Sequence, residues 1–179
     1  MSGRILAIEV INSMWHDHLG TRSEDRLDVP VWRESFFRDW NTPVLQPDLE
    51  QLVQLKRLRS LLREMSDLQA AGEAIADEQL EALNGWFARA RRRKELTRIG
   101  GEYAWTDKPA EENWDAFLSE VALSFASLLA EGRIKRVKTC RNSVCKWVFY
   151  DDTKNGKRQW CSSDICGNVA RVRRHRDKD

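Results

Sequence analysis

The chain has 179 residues with a formal charge of +2, and its four cysteines all lie between Cys140 and Cys166. That length holds one ordinary core, or a helical domain with a small appendage, and excludes two full-sized domains. No run approaches the ~18 uninterrupted apolar residues of a membrane span, and MSGRILAIEV meets Glu9 before a secretory apolar core develops, so a soluble cytoplasmic protein without a membrane partner is expected.

The first hydrophobic run, LAIEVINSMW, ends near Asn12 and is followed by His16-Asp17-His18. Two histidines at i and i+2 share a face only in extended chain and diverge by about 200° on a helix. With no clear third ligand, local hydrogen bonding or exposure is the expectation for this triplet. Asn12, Trp15 and His16 could instead line a pocket for a small-molecule effector.

Pro30 opens a short helix over VWRESFFRDW. The stretch from Asp48 places Leu52, Leu55, Leu58, Leu62 and Met65 three or four positions apart, as a buried helical stripe requires. Pro47 precedes it and Gly72 follows. A further helix starts at Asp77, which is expected to cap it, and should bury Leu80, Leu83, Trp86 and Phe87. The RRRK run, Arg91 to Lys94, reads as its solvated end, with DNA contact as the lesser alternative. KELTRIGGEYAWT then carries two short runs around Gly100-Gly101, a hairpin signal. The last helix, about Glu111 to Glu131, presents Trp114, Phe117, Leu118, Val121, Phe125 and Leu128 on one side, and Gly132 stops it. Most of the eight tryptophans are expected to be packing residues.

A change of character falls at Gly132. Residues 133–179 carry 14 Lys and Arg against 5 Asp, a formal +9, so residues 1–132 carry −7. The expected division is a helical region, 1–132, serving as a ligand sensor or homodimerisation unit, and a basic module, 133–179, docked closely on it.

All four cysteines sit in that module, spaced C-x4-C-x15-C-x4-C: Cys140, Cys145, Cys161 and Cys166. Free buried thiols or two disulfides would account for them, but a reducing compartment disfavours bridges, and isolated thiols need no paired spacing. Two pairs brought together by a hairpin would supply the four soft donors of a tetrahedral Zn2+ site. KWVFYDD reads as one strand, Asn155-Gly156 as the turn and KRQW as the return. Trp147 and Phe149 would then share one face and form the module's small core. Four thiolates leave no open position for water, so such a metal is structural.

After Cys166 the chain reads GNVARVRRHRDKD. Wound as a helix, it puts Val169 and Val172 on one side, packed on the cysteine knuckles, with Arg173 and Arg176 flanking them. Arg171, Arg174 and His175 face out. Guanidinium groups so displayed match phosphate geometry and guanine edges, and Lys154, Lys157 and Arg158 could extend the footprint. DNA is the expected partner.

At these residues the sequence resembles the CGNR zinc-finger family. The resemblance rests on CRNSVC, KWVFYDDTKNGKRQ and WCSSDICGNVARVRRHR, while LAIEVINSMW is similar to the opening of the ABATE domain usually joined to that finger. It implies a bacterial stress-associated transcription regulator whose metal positions fall on the four cysteines, with Gly167 and Asn168 in the signature. The signature arginine is replaced by Val169.

The overall expectation is a mainly α protein with a short β-hairpin in its helical N-terminal domain and a small C-terminal four-cysteine zinc module made of a hairpin and a basic helix. There is no Gly-rich phosphate cradle and no serine nucleophile motif, so no enzymatic activity is expected. Two rivals to DNA binding remain. In one the module docks on an acidic protein partner, and in the other it binds RNA, which exposed Trp147 and Trp160 would favour.

Overall fold

The computed structural model describes residues 4–42 and 46–176, with the side chains of Arg174 and His175 outside the described set. The elements are α1 (Leu6–Ile11), β1 (Met14–His16), β2 (Ser23–Asp25), a 3-10 turn (Arg26–Asp28), α2 (Pro30–Asp39), α3 (Leu49–Ala71) and α4 (Asp77–Phe87). They continue with β3 (Arg92–Ile99), β4 (Glu102–Pro109), α5 (Trp114–Ala130), a second 3-10 turn (Arg133–Arg136), β5 (Val137–Thr139), β6 (Val148–Tyr150), a π-helical turn (Ser163–Gly167) and α6 (Asn168–Arg176). The strands form three separate antiparallel pairs, β1–β2, β3–β4 and β5–β6. Mainly α architecture with short antiparallel pairs is therefore the observed fold, and no described helix is long and apolar enough to cross a membrane.

Local chemistry sets the ends of the long helices. Asp48 accepts from the Gln51 N–H at 2.8 Å while the Gln51 side chain accepts from the Asp48 N–H at 3.0 Å, a reciprocal capping box. Gly72 closes α3 at φ 78°, a left-handed conformation that costs a residue without Cβ little. Asn113 caps α5 by accepting from the Ala116 N–H. Helix α4 departs from expectation. Its N-cap is Ala76, with Asp77 inside the first turn, and of the four apolar residues only Leu83 is buried. Trp86 and Phe87 are half-buried, and Leu80 is exposed, because α4 lies at the rim of the bundle. The RRRK run is also not a helix end: Arg92, Arg93 and Lys94 belong to β3, so the ribbon is longer than its apolar residues alone suggested.

Helix α5 runs through the core, burying Trp114, Phe117, Leu118, Val121, Phe125 and Leu128 as its spacing required. Phe37 of α2 meets Phe117 edge-on at 5.5 Å and Trp114 at 5.8 Å between centroids, the arrangement aromatic quadrupoles favour. The α3 stripe and Ala7, Ile8, Val10 and Ile11 of α1 complete this core. The β1–β2 pair is locked to α3 by Arg59, whose guanidinium makes two 2.6 Å bonds to the Asp25 carboxylate. Burial alone would raise Asp25, but Arg59 and Lys56 outweigh it and keep the acid below its ordinary range.

Ile134, Val137 and Val148, which follow Gly132 in the chain, are buried in this same core. Asn12, immediately after α1, makes the closest link. Its amide donates to the Val148 carbonyl at 2.8 Å and accepts from the Val148 N–H at 2.9 Å, occupying the β6 positions that face away from β5. Replacing Asn12 by Ala would leave both buried backbone groups without a partner. The expected loss is about 2–6 kcal/mol, at about 1–3 for each unsatisfied group, read from urea unfolding followed by tryptophan fluorescence. A loss below about 1 kcal/mol would contradict this role for Asn12.

Candidate metal centre

Strand β5 delivers Cys140, and the chain returns through a tight knuckle whose Cys145 N–H donates to the Asn142 carbonyl at 2.9 Å. The Cys140 N–H then donates to the Trp147 carbonyl at 2.8 Å, extending the β5–β6 ladder past its last paired residues. Lys146 takes φ 53° at the exit, and Arg63 of α3 holds this turn by donating to the Lys146 carbonyl at 2.5 Å. The expected pairing of KWVFYDD with KRQW is not formed. Residues 148–150 pair with 137–139, so the first knuckle is itself the hairpin turn, and residues 151–160 form a loop whose turn at Gly156 has φ 58°. The loop returns on the knuckle through the Arg141 N–H, 3.0 Å from the Gln159 carbonyl. Ser162 caps the π-helical turn that carries Cys166.

The four thiols converge although the expected return strand is absent. Their sulfurs all lie within 4.8 Å of one another, and the Cys145–Cys161 and Cys161–Cys166 separations are each 3.7 Å. A tetrahedron with metal–sulfur bonds of 2.3 Å has edges of about 3.8 Å. The donor set therefore fits a four-coordinate thiophilic ion. Disulfide bonds are absent among these cysteines.

Electrostatics point the same way. Hydrogen bonds from the Cys145 and Cys161 thiols, with N–H groups of Cys161 and Asn142, hold Cys140 down to about 2. The thiolate so formed pushes Cys145 up to about 12 and drives Cys161 upward as well. Ionising Cys140 therefore opposes ionisation of Cys145 and Cys161, a conflict that a bound cation removes by favouring the thiolate form. The Asn142 amide donates to the His18 carbonyl at 2.8 Å and lies 3.6 Å from Cys166 Sγ, tying the cluster to the β1–β2 turn. At that turn Gly20 has φ 80°, and a Cβ there would stand 2.9 Å from Val144 Cβ, so only glycine lets the turn close on the knuckle.

Below the thiols, Asp151 organises the loop. Its fully buried carboxylate accepts from Lys138 Nζ at 2.5 Å, the Arg158 N–H at 2.9 Å and both the hydroxyl and N–H of Thr153. Burial would raise this acid, but these donors hold it well below the usual carboxylate range. Arg158, expected to extend the outer basic footprint, is half-buried and also serves the module's interior. Its guanidinium lies 4.6 Å from the Phe149 ring centre and donates to the carbonyls of Trp160 and Cys161. Phe149 is buried against Cys140, Cys145 and Cys166, with Trp147 and Trp160 half-buried beside it.

Helix α6 forms as expected, but it packs less deeply. Val169 is half-buried and Val172 is exposed, so the valines do not both cover the knuckles. The π-helical turn, not the valine side of α6, carries the contact: Gly167 is buried, and a Cβ there would lie 3.3 Å from the Trp160 indole. Arg171, Arg173, Arg176, Lys154 and Lys157 are exposed. Arg174 lies in α6 with its side chain outside the described residues.

The three candidate pocket residues diverge. Asn12 is committed to Val148, and Trp15 lies 5.0 Å under the Arg26 guanidinium. His16 lines a groove of about 910 Å³ between α3 and the first knuckle, with Arg63, Lys146 and Cys140. Burial, then Lys146 and Arg63, lower its pKa below the ordinary imidazole value. Asp17 binds the N–H groups of Gly20 and Thr21 and the Thr21 hydroxyl, the local hydrogen bonding expected for the His-Asp-His triplet. Sequence reasoning gave no role to Asn142, Asp151 or Lys138. The one available signal was the paired acid in YDD, a charge too close to a buried strand to be unpartnered.

Residues 6–132 match the ABATE family model, whose description reads "Putative stress-induced transcription regulator". Residues 136–179 match the CGNR zinc finger model. No curated protein matches the chain.

Asp151→Asn removes the buried charge while keeping the shape, and the expected cost is about 2 kcal/mol. Because the folded carboxyl is depressed below its unfolded value of 3.8, the wild-type advantage is complete above that pH. It shrinks as the pH falls through the folded value, where both states bind the proton. Paired urea curves for the two proteins over an acid series measure this difference, and an advantage that stays constant below that pH would contradict it.

Proposed function

The chain belongs to the ABATE family, and from that premise and the thiol geometry we propose that it is a transcription regulator binding one zinc ion at Cys140, Cys145, Cys161 and Cys166 and contacting DNA through α6. The observation that carries this reading is the placement of a guanidinium-rich helix directly after a four-sulfur cluster. The metal would supply a cross-link in place of the hydrophobic core that some 40 residues cannot build. With four thiolates bound it has no open position for water, which supports a non-enzymatic role. The helical region, 1–132, would act as a sensor or self-association unit, and the protein would work in the cytoplasm.

Charge supports the same surface. The four thiolates and a divalent ion add −2 to the module's +9 and leave +7. Among the described residues, Arg171, Arg173 and Arg176 make no ion pair with a carboxylate. A face left uncovered by the acidic body weighs against docking within the chain. The RNA reading asked for exposed Trp147 and Trp160, and both pack against the thiol cluster instead.

Two measurements test the proposal. Cys161→Ser should lower zinc affinity by at least about tenfold in competition with a chromophoric chelator, and wild-type zinc should be released as the pH falls, since protons compete for the thiolates. Unchanged affinity in this variant would exclude Cys161 as a ligand. The second is binding of the zinc-loaded protein to random duplex DNA over a salt series, with Arg171→Ala/Arg176→Ala alongside. The variant should retain its zinc and lower the slope of log K against log salt by about 0.9 for each phosphate it no longer neutralises. Full affinity with an unchanged slope would remove α6 as the binding face.

A further inference from the structure

The β3–β4 ribbon carries a cluster of exposed apolar side chains. Its register places Leu96 opposite Trp105 and Arg98 opposite Tyr103, and alternation puts both pairs on one face. Leu96 is 58%, Tyr103 68% and Trp105 71% exposed, while Ile99 at the tip is 60% exposed. Each strand pairs only with the other among the described residues, so both edges of the ribbon are open. Eight residues per strand at about 3.4 Å each extend it roughly 27 Å. An apolar surface of this kind marks an interaction site, and its Trp, Tyr and Arg are the residue types that dominate binding energy at interfaces.

Charge identifies the partner. Residues 91–109 carry six Lys and Arg against three acids, +3, whereas the remainder of residues 1–132 carries −10. The ribbon is a basic island in an acidic body. That body also holds a groove of about 1000 Å³ lined by Trp40 and Leu123, where five carboxylates, Glu111 and Glu112 among them, outnumber the guanidinium groups of Arg4, Arg92 and Arg133. The groove reaches Arg92, Asp107 and Pro109 at the foot of the ribbon. A ribbon therefore complements the groove in both apolar character and charge but would repel another ribbon. Leu96 and Ile99 have no polar atom to offer phosphate, and the acids at the ribbon's foot would repel DNA.

We propose that the β3–β4 ribbon of one copy docks in the acidic, apolar groove of a second copy, and that the exchange is reciprocal about a two-fold axis. Because ribbon foot and groove adjoin, one dyad closes both contacts. This gives residues for the self-association role named above and stands whether or not α6 binds DNA.

Sedimentation equilibrium of the full zinc-loaded chain tests it, with Leu96→Ser/Trp105→Ser and Glu111→Lys/Glu112→Lys as variants. The wild type should be a dimer dissociating in about the micromolar range, more weakly at high salt. Both variants should be monomeric at the same concentrations with unchanged helical circular dichroism, their substitutions lying on exposed positions. A monomeric wild type at 100-fold higher concentration, or a dimer that persists in either variant, would overturn the proposal. So would a monomer whose ribbon variant loses only DNA affinity, which would make nucleic acid the ribbon's partner.

Discussion

Four sulfur atoms within 4.8 Å of one another are the constraint on which the C-terminal quarter depends. The segment around them buries Cys140, Cys145, Phe149 and Cys166 as its own cluster, too little apolar surface to hold some 40 residues in one conformation. Nor can the thiols supply stability alone, since ionising Cys140 drives Cys145 and Cys161 toward the protonated form. A cation resolves that conflict, and its coordination would fix two knuckles and the root of α6 in one step.

The module is not a bead on a string. Val137 and Val148 enter the helical core, Asn12 replaces a strand partner for Val148, and Asn142 reaches both the His18 carbonyl and Cys166 Sγ. The Gly20 turn closes against Val144 from the other side of the same seam. These contacts come from residues far apart in sequence, so ordering of the knuckle and packing of the body support one another. The groove containing His16, Arg63 and Lys146 lies along that seam, where both regions contribute wall.

Much of the scaffold was legible because its signals are local. Leucines spaced along α3, Gly72 after it and Gly132 after α5 are each read within a turn or two of chain, and the structure uses them as read. The cysteine cluster was legible from residue type and pairing. What escaped was long-range. Alternation in KWVFYDD correctly marked a strand but could not say that its partner was residues 137–139, which precede the first cysteine. Arg158 looked like surface charge alone because nothing in its neighbours announces the Phe149 ring and the carbonyls it meets. Leu80 and Val172 show the converse, since helical periodicity names a face without saying whether anything lies opposite it.

Position 169 illustrates how α6 meets the first knuckle. The family signature has an arginine at that position, and this chain has a half-buried valine beside Trp160 and Ala170 in a cleft of about 360 Å³. One helical turn later, at the i+4 position on the same face, Arg173 brings its guanidinium to the knuckle, 3.4 Å from the Asn142 Oδ1 whose amide nitrogen faces Cys166 Sγ. Beside the packing of the π-helical turn, α6 thus adds a polar contact to the first knuckle through this guanidinium. Basic character at the root of the helix is present without the signature residue, and Arg141 lines the same cleft.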